Sequence, residues 1–447
     1  MSHSRTPELR HVIDARQRLA AGWPADPAAI FAAGHTVCTR KCGPMSSRSN
    51  GKIAVIGAGP AGLSCTLGLL RKGFEVALFE RHTEIRAAGN VINLWPSPQE
   101  ILRIYGVDTK GMGAVTTPEM RRQDGRGRAR FAFPDDIARE YRGGFTGMLR
   151  WDLYRRLSAA IPEGVIRFGA RCVAIDDTGD SVIVRTEDAE EAFDLVVGTD
   201  GIDSVVRSKL WGIEPKREHR LHAILGYDLH GGDVSTLAVI AHNRSVQASY
   251  APLEFEGRMG HGWWVLEAWD PAKPYRKDLK QRAIELSRTF AEPLPTIIRN
   301  TDPTNIHEWQ IRDRKPLKQW SKGRVTLAGD AAHPTSPYAA YGAGMSIEDG
   351  YFLARALAGT DLRDREALSA GLARYESARR PHTAAVSQEA YVLGQVYHWA
   401  PRVLRPIRDF VFDHTSMLQK QVGNAQPGRA IAQLKEIQRY EAGAGVE

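Results

Sequence analysis

Cysteine is scarce in this chain: four among 447 residues, Cys38, Cys42, Cys65 and Cys172. So few thiols exclude a disulfide-built scaffold and fit a reducing compartment, so a cytoplasmic setting is expected. Cys38 and Cys42 bracket only "TRK", with no second ligand pair nearby. No metal site is therefore expected. No run approaches the roughly eighteen apolar residues of a membrane span. The N-terminus carries early charges and no apolar core of a secretory signal. Charge of one sign is not concentrated either. Lys and Arg total 60 against 52 Asp and Glu, a formal net charge of +8, but the two signs are interleaved. No basic block alternates with aromatics, which argues against nucleic acid and leaves a mild attraction for small anions. Internal repeats and low-complexity tracts are absent.

What is present is ample apolar material, 43% of the chain, and a length that suits two or three domains at roughly 150 residues each. Residues 1–50 read as an extension and linker. "KIAVI", a glycine turn, the helical "AGLSCTLGLLRKG" and "FEVALFE" then make a β-α-β unit. "SPQEILRIYG" and "MLRWDLYRRLSAAI" predict helices, and 115–142 a hairpin excursion. From about 220 to 311, runs such as "STLAVIAH" and "HGWWVLEAW" alternate in the manner of an antiparallel sheet. The expected architecture is α/β: a Rossmann-like nucleotide-binding domain (51–219 and 312–395), an inserted, mainly antiparallel β-sheet substrate domain (220–311) and a C-terminal helical tail (396–447). One long helix over 365–395 is expected to break near Pro381.

"GAGPAG", residues 57–62, places Gly57, Gly59 and Gly62 at G-x-G-x-x-G spacing between a strand and a helix, with Pro60 and Ala61 opening the helix. Gly57 permits the tight turn, Gly59 lets backbone approach a pyrophosphate, and Gly62 lets helix and strand pack closely. Glu80 ends the next strand, where a carboxylate can take both hydroxyls of an adenosine ribose. This site alone fits FAD or NAD. Far downstream, "GDAAHPTSPYAAYGAG", residues 329–344, follows the apolar "RVTLAG". Asp330 stands where a strand meets a helix and can bond a sugar or ribityl hydroxyl. The N–H groups of Ala331 and Ala332 can face phosphate. Gly342, Ala343 and Gly344 can lie flat against a planar ring. The helix that follows aims its N-terminus at the ring's carbonyl edge, where reduced flavin is negative. The return to this second segment favours FAD.

Together these motifs resemble the group A flavin-dependent monooxygenases, the aromatic-hydroxylase family typified by p-hydroxybenzoate hydroxylase. The likeness runs from about 52 to 395 and rests on three motifs in order: "GAGPAG" closed by "FER" (79–81), "GTDGIDSVVR" (198–207) and "GDAAHPTSPYAAYGAGMSIED" (329–349). The resemblance implies FAD contacts at Glu80, Arg81, Arg150, Asp200 with Gly201, and Asp330. It also implies a transient NADH or NADPH co-substrate and Pro337 beside the reacting ring. The implied reaction is hydroxylation of an aromatic or heteroaromatic small molecule by O2 through a flavin C4a-hydroperoxide. Tyr341 departs from the family, which often has Gln before the flavin-loop glycine.

Candidates for proton transfer at the substrate are His230 and Tyr227 in "LGYDLHGG", and Tyr338 and Tyr341. His333 reads chiefly as a hydrogen-bonded support for the loop. Alternation puts Trp263 and Trp264 on opposite sheet faces, so one of them can wall a planar pocket. "RDRK", 312–315, reads chiefly as a solvated charge cluster. Two further outcomes suit the same motifs: a related flavoenzyme performing epoxidation or Baeyer–Villiger insertion, and a non-catalytic flavin-bound redox or interaction protein.

Overall fold

A computed structural model describes residues 50–447 apart from 86–90, 135, 137–139, 141–143, 232–233, 276 and 444–447. The expectations for the N-terminal extension, and for Cys38 and Cys42, lie outside the described residues.

Strand β1 (Lys52–Ile56), helix α1 (Pro60–Arg71) and β2 (Glu75–Phe79) form the opening unit. The apolar runs of β1 and β2 are buried on both faces, as parallel strands under helices must be. The chain then adds β3 (Val91–Leu94), α2 (Pro96–Tyr105), β4 (Ala114–Arg122), β5 (Phe131–Ala132), β6 (Phe145–Leu149) and α3 (Arg150–Ala159). A short β7 (Ile166–Arg167) precedes a small antiparallel sheet of β8 (Cys172–Asp177), β9 (Val182–Thr186) and β10 (Glu190–Phe193). Next come β11 (Leu195–Gly198) and α4 (Val205–Trp211). The long strands follow: β12 (Arg217–Asp228), β13 (Leu237–His242), β14 (Val246–Phe255) and β15 (Arg258–Ala268). Helices α5 (Leu279–Ser287) and α6 (Leu294–Asn300) lead to β16 (Ile306–Asp313). The chain returns through β17 (Val325–Leu327) to α7 (Gly342–Ala356) and α8 (Arg365–Gly394), and ends with α9 (Arg405–His414) and α10 (Ala425–Glu441).

Two sheets organise the molecule. The parallel one has the order β17-β11-β1-β2-β7, so a strand more than 250 positions downstream of β1 lies two places from it. The large sheet runs β16-β12-β15-β14-β13-β4-β6-β3, with β5 on β4. The antiparallel sheet expected over 220–311 therefore draws strands from 91–149 as well. Of the hairpin excursion expected around 115–142, the described residues show β4, an interior strand of this sheet, pairing with β5.

Helices α1 and α7 lie in close contact. A Cβ on Gly350 would fall 2.4 Å from the Cys65 nitrogen, and one on Gly68 would fall 2.8 Å from Ala354 Cβ. The buried Ser64 hydroxyl donates to the Ile347 carbonyl at 2.6 Å. Helix α8 does not break at Pro381; it continues through Thr383, Val386, Ser387 and Ala390, all buried. Proline removes one backbone bond there, but the helix continues past it with buried residues on both sides.

Gly62 tests this geometry. Its Cβ would sit 1.9 Å from the Gly57 carbonyl oxygen. Gly62→Ala is therefore expected to lose about 1–3 kcal/mol of stability through overpacking, read as a shifted denaturation midpoint. An unchanged midpoint would count against the close approach.

Candidate flavin-binding cleft and its supports

The parallel sheet brings the separate motifs to one edge. Ile56 pairs with Gly198 and Phe79, and Gly198 pairs with Leu327. The residues that leave these strand ends, Gly57, Glu80, Thr199–Asp200 and Gly329–Asp330, consequently emerge side by side. Ligands of open α/β sheets bind at such carboxyl ends. Gly57 has φ +102° and presses on the Thr199 carbonyl, where a Cβ would come within 2.9 Å. Gly329, at φ +59°, would place a Cβ 2.6 Å from that of Ala61, so the downstream loop touches the glycine turn directly. Gly59 differs: its Cβ would meet nothing within 4 Å, and the same holds at Gly201. Both glycines border open space. Pro60 starts α1 without a side-chain cap on Gly59, which leaves helix N–H groups facing that space.

Glu80 accepts from the Ala58 and His82 amides, each at 2.9 Å, which fixes its carboxylate beside the glycine turn. Arg81 is exposed and donates to His82. Asp200 accepts from Val205 and Val206 at the start of α4, at 2.7 and 3.3 Å. Its other oxygen is buried without a partner, and burial raises its pKa. Asp330 opens onto the cleft. Desolvation raises its pKa, opposed by the charges of His333 and Arg150. Arg150, the first residue of α3, donates to the Tyr154 hydroxyl at 2.7 Å. The arginine and Asp330 are thus electrostatic neighbours although 180 positions separate them.

The loop departs from expectation in several details. The Ala332 amide bonds to the Gly329 carbonyl at 2.9 Å and is not free for phosphate. The carbonyls of Ala331 and Ala332 both accept from Arg207. Gly342 starts α7 without a side-chain cap, as a ring-facing helix end requires, and Ala343 follows it. Gly344, however, lacks a side chain because Tyr341 fills that place: a Cβ would lie 2.6 Å from its ring. Tyr341 itself is not a group open to the cleft. Its hydroxyl lies between Ser97 and Glu348, at 3.0 and 2.5 Å, and its ring packs on Trp95. Burial and Glu348 push its pKa well above the ordinary phenol range, so it cannot serve as a base near neutrality. Pro337 is exposed beside Tyr338, whose ring lies with Leu225 and Trp264 against the large sheet. Tyr227 is half-buried on β12, and burial raises its pKa also. His230 is exposed beyond the end of β12, and its partners are the Gly231 carbonyl and His261. Neither partner belongs to the loop. Within "RDRK", Asp313 is fully buried between Arg217 and His219 and Arg314 is buried as well, so half of that cluster is not solvated.

The main support escaped the sequence reading. Arg379 on α8 is fully buried and spans Asp349 and Glu348 of α7, at 2.8 Å each. Asp349 also accepts from the Gly329 amide at 2.8 Å and contacts His333 at 2.5 Å. Glu348 accepts from Ser97 at 2.6 Å and from Tyr341. The only available signal was the adjacent acids in the otherwise apolar "GMSIEDGYFLARA". Buried charges need partners, but the sequence does not say which arginine answers them.

An orphaned Asp200 oxygen, an open Gly59, uncapped starts to α1 and α7, and a carboxylate at the ribose position fit a dinucleotide carrying a planar ring. Known proteins agree. The family model of an FAD binding domain matches residues 51–390. The 3-amino-4-hydroxybenzoate 2-monooxygenase PtmB3 of Streptomyces platensis is 31% identical over 386 residues, covering 81% of this chain and 92% of that protein. A 6-hydroxynicotinate 3-monooxygenase of Pseudomonas fluorescens is 30% identical, covering 68% and 82%. Among solved structures, Klebsiella pneumoniae HpxO complexed with FAD and uric acid superposes with a TM-score of 0.74 at 20% identity, over 85% of this chain and 97% of that one. The fold and cleft are those of an FAD-binding oxidoreductase. Within that class, the chain belongs to the group A flavin-dependent aromatic hydroxylases and is a monooxygenase.

Arg379→Ala removes the one cation that both buried carboxylates share. It is expected to lose about 3–5 kcal/mol in chemical denaturation, and wild-type stability would reject the supporting role. The Asp349 carboxyl is raised by burial but held down more strongly by His333 and Arg379, at about 2. Its contribution is present above the unfolded value of about 3.9 and is lost as pH falls through 2. Acid titration of stability in wild type and Asp349→Asn should therefore converge in that window, not near neutrality.

Proposed function

We propose that this enzyme uses NADH or NADPH and O2 to hydroxylate an aromatic or heteroaromatic small molecule. The observation that carries the reading is the meeting of Gly57, Glu80, Asp200 and Asp330 at one sheet edge, with Pro337 and Tyr338 between that edge and the large sheet. Bound flavin, once reduced, supplies the electrons that activate dioxygen and hand one oxygen atom to the ring.

The chain's own residues then bind, orient and shield. Gly57, Gly59, Pro60, Ala61 and Gly62 form the pyrophosphate turn, and Glu80 takes the ribose. Arg81 stands at the rim, and Arg150, Asp200 and Asp330 meet the sugar and ribityl hydroxyls. Ala331, held by Arg207, and the start of α7 at Gly342, Ala343 and Gly344 place dipoles at the ring's carbonyl edge. Pro337 borders the reaction space. Tyr227 and Tyr338 remain protonated near neutrality and act as hydrogen-bond donors to the substrate, not as bases. Tyr341 acts through Glu348, and His230 takes no part in the proton transfer. The relatives named for aminohydroxybenzoate and hydroxynicotinate support aromatic hydroxylation over epoxidation or ring insertion.

Purified protein is expected to bind one FAD per chain and to oxidise NAD(P)H faster when a suitable aromatic is added. A folded protein that takes up no FAD overturns the reading. Asp330→Ala should weaken FAD at least tenfold in a titration. Gly59→Val should abolish uptake while leaving the denaturation midpoint near wild type, because its side chain enters open space. Retained flavin in both variants would remove the assignment.

A further inference from the structure

Which face of the large sheet meets the substrate follows from its register. One face carries Ile224, Ala248, Trp263 and Val265 and is closed by the helices α5 and α6. Trp263 is spent there: its indole N–H donates to Thr301 at 2.8 Å, and its ring covers Gly226. The opposite face holds a row running Leu225, Trp264, Ser249, Ile240 and Met120 across five strands. The neighbouring row is Ala223, Leu266, Gln247 and His242. Tyr338 packs onto this face with Leu225 and Trp264, directly after Pro337 of the flavin loop. Leu225, Trp264 and Ile240 are only partly buried, so the face is not sealed.

Three polar atoms on this wall lack partners, one of them the His242 Nδ1 next to β4. Gln247 is 3% exposed, and its Oε1 makes no hydrogen bond. The Tyr338 hydroxyl is likewise buried and unpaired. A buried polar atom left unpaired costs about 1–3 kcal/mol, so these two on one wall beside the reaction space call for a ligand that completes them. The wall also lacks charge. The nine residues named in these rows include no Lys, Arg, Asp or Glu. The second row ends on a cation: Arg122 of β4 pairs with His242, is exposed and contacts Asp124 and Asp413. His242 is kept neutral, its pKa lowered well below the usual value by burial and then by His398, Arg408 and Arg130. His307, beside Leu225 on β16, is the titratable ring at the other edge. The cations acting on this face, Arg122, Arg130 and Arg408, lie at its His242 edge; the residues paired with Trp264 are Leu225 and Ser249, so a carboxylate seated there would lose its hydration and gain no cation from its own row.

We infer that this inner sheet face selects an aromatic substrate without a carboxylate, stacked at Trp264 and oriented by neutral hydrogen bonds to Gln247 and the Tyr338 hydroxyl. The inference rests on the hydroxylase reading and deepens it. It separates this chain from relatives named for benzoate and nicotinate substrates. Gln247 is a positioning and specificity residue, able to accept from a ring N–H or hydroxyl or to donate to a carbonyl. Sites built to bond a polar substituent discriminate strongly against analogues that lack it.

The test uses FAD-loaded full-length enzyme and matched pairs: 4-hydroxybenzoate against 4-hydroxybenzamide, and 6-hydroxynicotinate against 2-hydroxypyridine. Binding is read by perturbation of the flavin spectrum, and turnover by NAD(P)H oxidation. The neutral member of each pair is expected to bind at least tenfold more tightly. Equal or tighter binding of the carboxylates, or binding of neither member, overturns the inference. Gln247→Leu should weaken the benzamide at least fivefold and leave unsubstituted phenol unchanged, a difference that a general packing defect would not produce. Loss of both, or of neither, removes Gln247 from the role. Leu225→Arg, which sets a cation beside Trp264, should shift preference toward the carboxylates with FAD content retained; an unshifted preference counts against the wall. If the neutral ligands bind preferentially but none accelerates NAD(P)H oxidation, the hydroxylase reading fails while the ligand preference stands.

Discussion

A guanidinium without access to water governs the cleft. Arg379 can stay charged in the interior only because Asp349 and Glu348 meet it, and each carboxylate tolerates burial for the reciprocal reason. The arrangement is closed by groups from the flavin loop, since Asp349 also holds the Gly329 amide and His333, and Glu348 holds Tyr341. A loop of Gly, Ala and Pro has little side-chain packing of its own. Its shape is imposed by charges on the two helices beneath it. Because unpaired charges in the interior are so unfavourable, this loop has few alternative conformations, and preorganised dipoles at Gly342 and Ala343 follow from that constraint.

The two sheets then divide the work. The parallel sheet sets the phosphate and sugar contacts through backbone geometry, with glycines where a side chain would collide or would fill the binding space. The large sheet offers its uncharged inner face across the gap. The junction runs through Tyr338, which packs on the β12–β15 side of the second sheet, and through Ala339 and Tyr341, which cluster with Met120, Phe131 and Phe145 of β4, β5 and β6. Tyr341, three positions later, gives its hydroxyl to the buried charge cluster while its ring packs on Trp95. Two tyrosines of similar sequence context thus have different surroundings.

Much of the fold was legible because it depends on local rules. The glycine spacing at 57–62, the strand that precedes it and the acid at Glu80 follow from turn geometry and ribose chemistry. The buried strand before Asp330 was visible as an apolar run. Alternation in "HGWWVLEAW" announced that the two tryptophans face apart, but not which one is covered by α5 and α6, since that depends on which helices dock. Arg379 gave no local cue; it shares a helical stripe with Leu372, Tyr375 and Thr383 and looks like any arginine of a long helix. Pro381 suggested a break that the packing of α8 does not permit. The strands at 91–149 were not assigned to the large sheet because the parallel pairing of β4 with β13, more than 100 positions apart, has no local signature.

The sequence by itself determined the cofactor class and the order of its contacts, because phosphate turns, strand ends and helix starts are written in short-range spacing. Only the tertiary structure decided which buried charges meet, which tryptophan faces the cleft and which tyrosine hydroxyls are occupied. Those outcomes depend on register and helix docking, where residues hundreds of positions apart share one dielectric and one hydrogen-bond network.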